Sequence, residues 1–217
     1  MEITVTGRHS YRVPPETGLV SLGLVAEAPA AREAADTVSA LARELAEELA
    51  GLAGPGGPVT WHTVGAMTTS SWRRYDPDGA PLAPRHSASV TVRARFADLP
   101  ALAAFVSAWA LRDACQLNGV DWELSDATRA ELEDAALAAA VADARRRATV
   151  IAEAAGAGAV RPVSFRDPRP DHTPGFFAYA PMPASLGAPD GPSPLVVNDI
   201  EGAVAVEATF AADTVAS

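Results

Sequence analysis

The histidines and the single cysteine are the side chains best suited to metal binding or nucleophilic catalysis. The histidines stand at positions 9, 62, 86 and 172, and none has the HxxxH or HExxH spacing of a metal-binding helix. Cys115 has no histidine near it in the sequence, and free cysteine usually behaves as a small buried apolar residue. These residues therefore predict neither a metal site nor a catalytic thiol.

Other short motifs also lack the context that their chemistry requires. Gly156-Ala157-Gly158 follows a predicted helix, whereas a phosphate-binding loop opens one. Asp76 and Asp78 lie in a turn without the other ligands of a calcium loop, and no GxSxG motif indicates a hydrolase. We predict no catalytic residue, no cofactor site and no metal site, and expect a protein that is not an enzyme.

Three consecutive arginines, Arg145, Arg146 and Arg147, are the most conspicuous charge feature. At 100° per residue they point in different directions around a helix. Arg147 follows Asp143 by four residues, which suits a surface ion pair. We interpret them as a solvated helix face, with anion binding or a subunit contact as the alternative.

Two aromatic clusters are candidates for interaction. Trp72, Arg73, Arg74 and Tyr75 stand together at a predicted hairpin tip, where they either pack on one another through cation–π contacts or contact a partner. Residues 167–200 contain eight prolines and an apolar cluster. Solvated linkers rarely need such aromatics, so this insertion is expected to dock onto its own or a neighbouring subunit. The cluster comprises Phe176, Phe177 and Tyr179.

The composition limits the partners. The 217 residues carry a net charge of −10, which disfavours nucleic acid and anionic membranes. No stretch has the ~20 apolar residues needed to insert into a membrane. Residues 1–13 do not form a signal peptide. As written, the protein is expected to be soluble and cytoplasmic; removal of an N-terminal segment would make it periplasmic or envelope-associated.

Alanine occupies 48 positions and aromatics only 6% of the chain. This predicts a thin core and apolar surface that closes between subunits, hence a homo-oligomer.

Hydrophobic periodicity predicts the positions of the strands and helices. Asp98 is a predicted helix cap, and Thr128 with Glu131 has the spacing of a capping box. The long third helix has a predicted apolar seam of Leu137, Val141, Ala144, Ala148, Ile151 and Ala155. The predicted strands are 2–13, 19–27, 59–70, 86–96, 117–124, 160–166 and 203–210, and the predicted helices are 29–52, 99–115 and 128–155.

The order is β-β-α-β-β-α-β-α-β-loop-β. Strand pairs followed by helices predict an α+β fold with a mostly antiparallel sheet and three helices packed on it. We expect one domain over residues 1–217, with the Pro-rich insertion at 167–200 before the last strand.

The sequence resembles the SIMPL domain family over about residues 2–212. The resemblance includes Asn118-Gly119-Val120-Asp121-Trp122-Glu123 before an Ala-rich helix, and the opening residues 3–7. It also includes Ala34, Asp98-Leu99 and residues 202–210.

The resemblance implies a bacterial envelope protein linked to oxidative-stress defence, as many family members are. Some relatives form large homo-oligomeric rings, and one mammalian relative is a partner of a signalling kinase. The family has no established catalytic residues.

Three functions follow as hypotheses. The first is a non-enzymatic, self-assembling SIMPL-like protein with a stress-related or scaffolding role. The second is a module that binds a small ligand or peptide through the sheet face or the Pro-rich loop. The third is an unrecognised enzyme.

Overall fold

A computed structural model describes residues 1–167 and 195–214. It confirms the α+β class, the antiparallel pairing and, among these residues, the three helices. The helices are α1 (Ala31–Leu52), α2 (Leu99–Ala110) and α3 (Asp126–Ala154). The strands are β1 (Glu2–Val13), β2 (Thr17–Ala28), β3 (Val59–Val64), β4 (Thr68–Trp72), β5 (Arg85–Phe96), β6 (Cys115–Glu123), β7 (Ala157–Arg166) and β8 (Ile200–Thr214).

The strands divide between two antiparallel sheets, whereas the strand pattern of the sequence predicts one. A three-stranded sheet has the order β1-β8-β7, and a five-stranded sheet has the order β3-β5-β2-β6 with β4 also paired to β5. The chain correspondingly forms two compact units. The first contains Met1–Pro14, α3, β7 and β8, and the second contains Pro15–Glu123. Pro14 and Pro15 separate the hydrogen-bonded strands of the two sheets because proline cannot donate to a ladder.

The second unit has the larger apolar core. The alternation in β2 buries Val20, Leu22 and Leu24, because every second side chain of a strand points to the same face. These side chains pack in one cluster with the buried faces of α1 and α2. Trp109 of α2 is fully buried, and its Nε1 donates to Glu48 Oε2 at 3.0 Å. That hydrogen bond satisfies the one polar group of the largest core side chain.

In the first unit, the residues that α3 buries against its sheet are all alanine. The buried helix residues recur at every fourth position, whereas Ile151 of the predicted seam is 44% exposed. The reason is the close approach of β1, where a Cβ on Gly7 would lie 2.0 Å from the Ala140 carbonyl oxygen. Only small side chains fit between backbones at this distance. The buried residues of α3 are Ala136, Ala140, Ala144, Ala148 and Ala152.

Helix boundaries depend on single caps. Asp98 caps α2 as predicted, since its Oδ1 accepts from Ala101 N at 3.0 Å. The predicted capping box at the start of α3 is wrong. Ser125 is the N-cap, with its Oγ accepting from Thr128 N at 3.2 Å, so the helix begins at Asp126. Helix α2 ends at Ala110, and Cys115 begins β6 instead of ending that helix.

The arginine triplet lies on the exposed surface of α3, as expected. The predicted Arg147–Asp143 ion pair is not formed. Arg146 pairs with Asp143, and Arg147 donates to the Thr6 carbonyl oxygen at 2.7 Å. Asp143 Oδ2 also accepts from Arg8 N at 3.1 Å. The two charged side chains Asp143 and Arg147 thus satisfy backbone groups of β1.

The predicted strand at 59–70 is two strands. β3 pairs with one half of β5 and β4 with the other. Gly65 N still donates to Thr91 O at 2.8 Å. Two residues, Ala66 and Met67, then stand opposite Val90 alone, because Thr68 pairs with Ser89. This extra residue interrupts the ladder and divides the strand.

Candidate interaction surface

Exposed apolar side chains concentrate in residues 61–82, called here the arm. Of fifteen large hydrophobic residues exposed in the described part of the chain, six belong to these 22 residues. Large apolar side chains that are exposed in one segment of a folded protein make that segment a candidate interaction site. The six are Trp61 (44% exposed), Val64 (41%), Met67 (36%), Trp72 (36%), Tyr75 (66%) and Leu82 (46%).

The tip of the arm is an ordered turn. Asp76 Oδ1 accepts from Asp78 N at 3.1 Å and from Ala80 N at 2.7 Å. Gly79 adopts a φ of 82°, which glycine tolerates without steric cost. The predicted role of the two aspartates in turn formation is confirmed for Asp76, which organises the turn. A side-chain clamp of this kind presents the neighbouring residues at low conformational cost.

The structure brings the tip residues together but not into cation–π contact. Trp72 ends β4 opposite Arg85, and Tyr75 forms an isolated bridge with Pro81. Within the described ranges, guanidinium–ring contacts occur at Arg95 over Trp61 and Arg112 over Trp109. The tip is therefore not packed on itself in the way that the first alternative proposed. Trp72, Arg73, Arg74 and Tyr75 all remain exposed.

The face of the five-stranded sheet opposite to α1 and α2, called here the outer face, carries two arginines. Arg95 Nε donates to Glu123 Oε2 at 2.7 Å, and its guanidinium lies 5.9 Å from the Trp61 ring centre. Arg93 lies two residues away on the same face, between Thr63 of β3 and Ser21 of β2. No sequence motif predicts this arrangement of Arg93, Arg95 and Trp61. The alternation of β5 indicates which face they share, but only the strand register reveals their neighbours.

A family model matches residues 3–210, nearly the whole chain. That model is SIMPL, described as a protein of unknown function (DUF541).

The chain belongs to the SIMPL family.

A search of curated proteins found no match. The family match spans both compact units of this SIMPL protein, and it includes the segments on which the resemblance rested. Of the described helices, none is long and apolar enough to cross a membrane.

Cys115 of this SIMPL protein is half-buried. Burial raises the pKa of its thiol, and the nearby positive charge of Arg112 only partly opposes this. The pKa of Arg112 is itself raised, first by its hydrogen bond to Glu44. A thiol with a raised pKa is a poorer nucleophile at neutral pH because less of it is thiolate. Cys115 is better described as a core-lining residue, since it packs against the apolar cluster of its unit.

The other predicted positions do not gather around one centre. His62 lies opposite Ala94 and His86 opposite Ser71, and His9 belongs to the first unit. In residues 1–167 and 195–214, no three His, Cys, Asp or Glu side chains form a group able to hold a metal ion. Phe176, Phe177, Tyr179 and His172 lie outside the described residues. At the end of the Pro-rich insertion, Leu195 packs against the core of the second unit.

Proposed function

We propose that this SIMPL protein is a non-enzymatic protein that assembles with copies of itself and has a scaffolding or stress-related role. The observation that carries the proposal is the concentration of exposed apolar residues in the arm. Trp, Tyr and Arg are also the residue types most enriched among residues that dominate binding energy at interfaces. The tip presents all three within four consecutive positions, Trp72 to Tyr75.

The thin first unit gives independent support. The residues that its helix buries are all alanine, so burial there stabilises the unit little per residue. On the same helix, Val150 and Ile151 are 55% and 44% exposed, and on β7 Val163 and Phe165 are 55% and 52% exposed. Contact with another copy would remove such apolar surface from water.

Light scattering coupled to size exclusion tests the proposal. The chain has a mass of 22.3 kDa, and the proposal expects a multiple of this mass at micromolar concentration. The double variant Trp72→Ser/Tyr75→Ser is expected to weaken assembly at least tenfold. Leu111→Ser is the matched control, because Leu111 is 71% exposed and lies outside the arm. A monomeric wild-type protein refutes self-assembly, and equal weakening by the control refutes a role for the arm.

The outer face favours a second candidate function, recognition of a carboxylate-bearing ligand or peptide. Arg93 is exposed and lies between two hydroxyl-bearing residues, Thr63 and Ser21. A guanidinium can bind a carboxylate through two parallel hydrogen bonds. Calorimetric titration with an acidic peptide would distinguish this candidate. Binding must be lost in Arg93→Gln and kept in Arg145→Gln, which removes an exposed arginine from the other unit.

A further inference from the structure

One edge of the five-stranded sheet is open over two consecutive strands. β3 and β4 both pair with β5 on one side, and in the described part of the chain no strand pairs with their other side. All five residues of β4 are exposed. An exposed edge presents unpaired N–H and C=O groups, which makes it a template for another strand.

This edge has none of the charged residues that usually protect an edge. Residues 59–72 read VTWHTVGAMTTSSW and contain no Asp, Glu, Lys or Arg. In a chain that is 20% charged, a segment of this length would carry about three such residues. Eight of its fourteen residues are Val, Thr or Trp, which favour strands. The segment therefore has the composition of a strand that pairs on both sides.

The β1 edge, by contrast, is blocked by side chains of α3. Arg147 donates to the outward carbonyl oxygen of Thr6, and Asp143 accepts from the outward N–H of Arg8. An incoming strand would have to displace both charged side chains. Covering edge groups in this way is a known protection against unwanted pairing.

The two remaining edges are interrupted. β7 carries Pro162, which has no N–H to donate, and its pairing with β8 shifts register on either side of Val160–Pro162. β6 contains an extra residue at Asn118, since Gly119 pairs with Ser21 and Leu117 with Leu22. Bulges twist an edge away from a flat ladder. Among the four sheet edges that residues 1–167 and 195–214 form, the β3–β4 edge is thus the open one.

The register identifies which groups of β4 are free. Gly65 N donates to Thr91 O, so Thr91 directs its backbone groups toward β3 and β4. In an antiparallel ladder this direction alternates along a strand, and Ser89 therefore also faces β4. Thr68, which pairs with Ser89, therefore directs its own N–H and C=O groups toward β5. It follows that Thr69 and Ser71 point their N–H and C=O groups away from the sheet.

We infer that the β4 edge pairs with the β4 edge of a second copy of this chain, antiparallel and across a twofold axis. The inference rests on the proposed self-assembly and names the surface that performs it. A twofold contact brings identical segments together, and an uncharged segment does so without like-charge repulsion. Thr68 to Ser71 have small side chains that allow close approach. Met67 and Trp72 flank them, and pairing would cover part of their exposed surface.

Proline at the outward positions tests this pairing. Thr69→Pro and Ser71→Pro each remove a free N–H while leaving the β4–β5 hydrogen bonds, and edge strands tolerate proline at such positions. Each is expected to lower the mass measured by light scattering at least twofold. Ser10→Pro is the control, because Ser10 shares the outward direction of Arg8 on β1; it is expected to keep the wild-type mass.

Thr69→Lys provides a second variant that does not depend on proline being accommodated, with circular dichroism to verify folding. It is expected to reduce the mass in the same way, since an edge lysine opposes strand addition. A folded Thr69→Lys protein with wild-type mass overturns the inference while leaving self-assembly intact. A monomeric wild-type protein refutes both the β4 pairing and the proposed self-assembly.

Discussion

Replacing Gly7 by alanine tests whether close packing of β1 on α3 stabilises the first unit. An added Cβ would lie 2.0 Å from Ala140 O, 2.5 Å from Ala144 N and 2.8 Å from Ala144 Cβ. Two of these three atoms belong to the helix backbone, which cannot rotate away as a side chain can. To restore van der Waals contact near 3.4 Å, the helix and strand must separate by about 1 Å or more.

Such a separation loosens several buried alanines at once. Overpacking a core costs typically 1–3 kcal/mol, and more where the backbone must shift. We expect Gly7→Ala to lower the free energy of unfolding by about 3 kcal/mol. With a urea dependence of roughly 2–3 kcal/mol per molar, the midpoint of urea unfolding falls by about 1 M. Circular dichroism at a helix-sensitive wavelength reports the transition that includes α3.

Gly51→Ala is the matched control. Gly51 lies within α1, and nothing approaches its hypothetical Cβ within 4 Å. The same chemical change there is expected to stabilise the protein by roughly 0.5–1 kcal/mol, because alanine favours the helix. The two variants should therefore shift the midpoint in opposite directions. A change below about 0.5 kcal/mol for Gly7→Ala would show that the close approach does not constrain this unit.

Two further predictions concern the charged residues of α3. Arg145→Gln/Arg146→Gln should change the free energy of unfolding by less than ~1 kcal/mol, because exposed charges contribute little; thermal unfolding showing a loss of several kcal/mol would indicate a buried contact. The pKa of Asp143 is lowered, first by the hydrogen bond from Arg146 and then by that from the Arg8 N–H. The ionised Asp143 side chain therefore stabilises the fold fully above the pKa of an unfolded aspartate, near 3.9. This stabilisation is lost as the pH falls through the lower pKa of the folded state. Asp143→Asn should flatten the decline in stability below about pH 4, and an unchanged acid profile would contradict this.

Much of the fold could be predicted because it depends on local patterns. The period of two in β2 correctly identifies Val20, Leu22 and Leu24 as core residues. The turn at Asp76 follows from the side-chain chemistry of a few adjacent residues. The division into two sheets depends instead on β1 pairing with β8, about 200 residues away, and no local pattern specifies that partner.

The apolar seam of α3 shows why some buried residues could not be predicted from the sequence. Hydrophobicity favours Ile151 and Leu137 for burial over alanine, yet the structure buries Ala140 and Ala152, which lie outside the predicted seam. The selection depends on the distance between β1 and α3, which a glycine on a different element sets. Likewise, Trp61, Arg95 and Glu123 stand on three strands. Their proximity becomes visible only when the strand register is known.

The regular spacing of the buried alanines means that packing shape alone does not fix the position of α3 along its sheet. A shift by four residues moves a helix about 6 Å, close to the ~6.8 Å that separates alternate residues of an antiparallel strand. After such a slide, four of the five buried alanines would occupy the place of another alanine. What distinguishes the native alignment is the polar pair, Asp143 on Arg8 N and Arg147 on Thr6 O. These two hydrogen-bonding side chains therefore fix the register of α3 along β1. The packing of the alanine methyl groups stabilises the contact but hardly depends on that register.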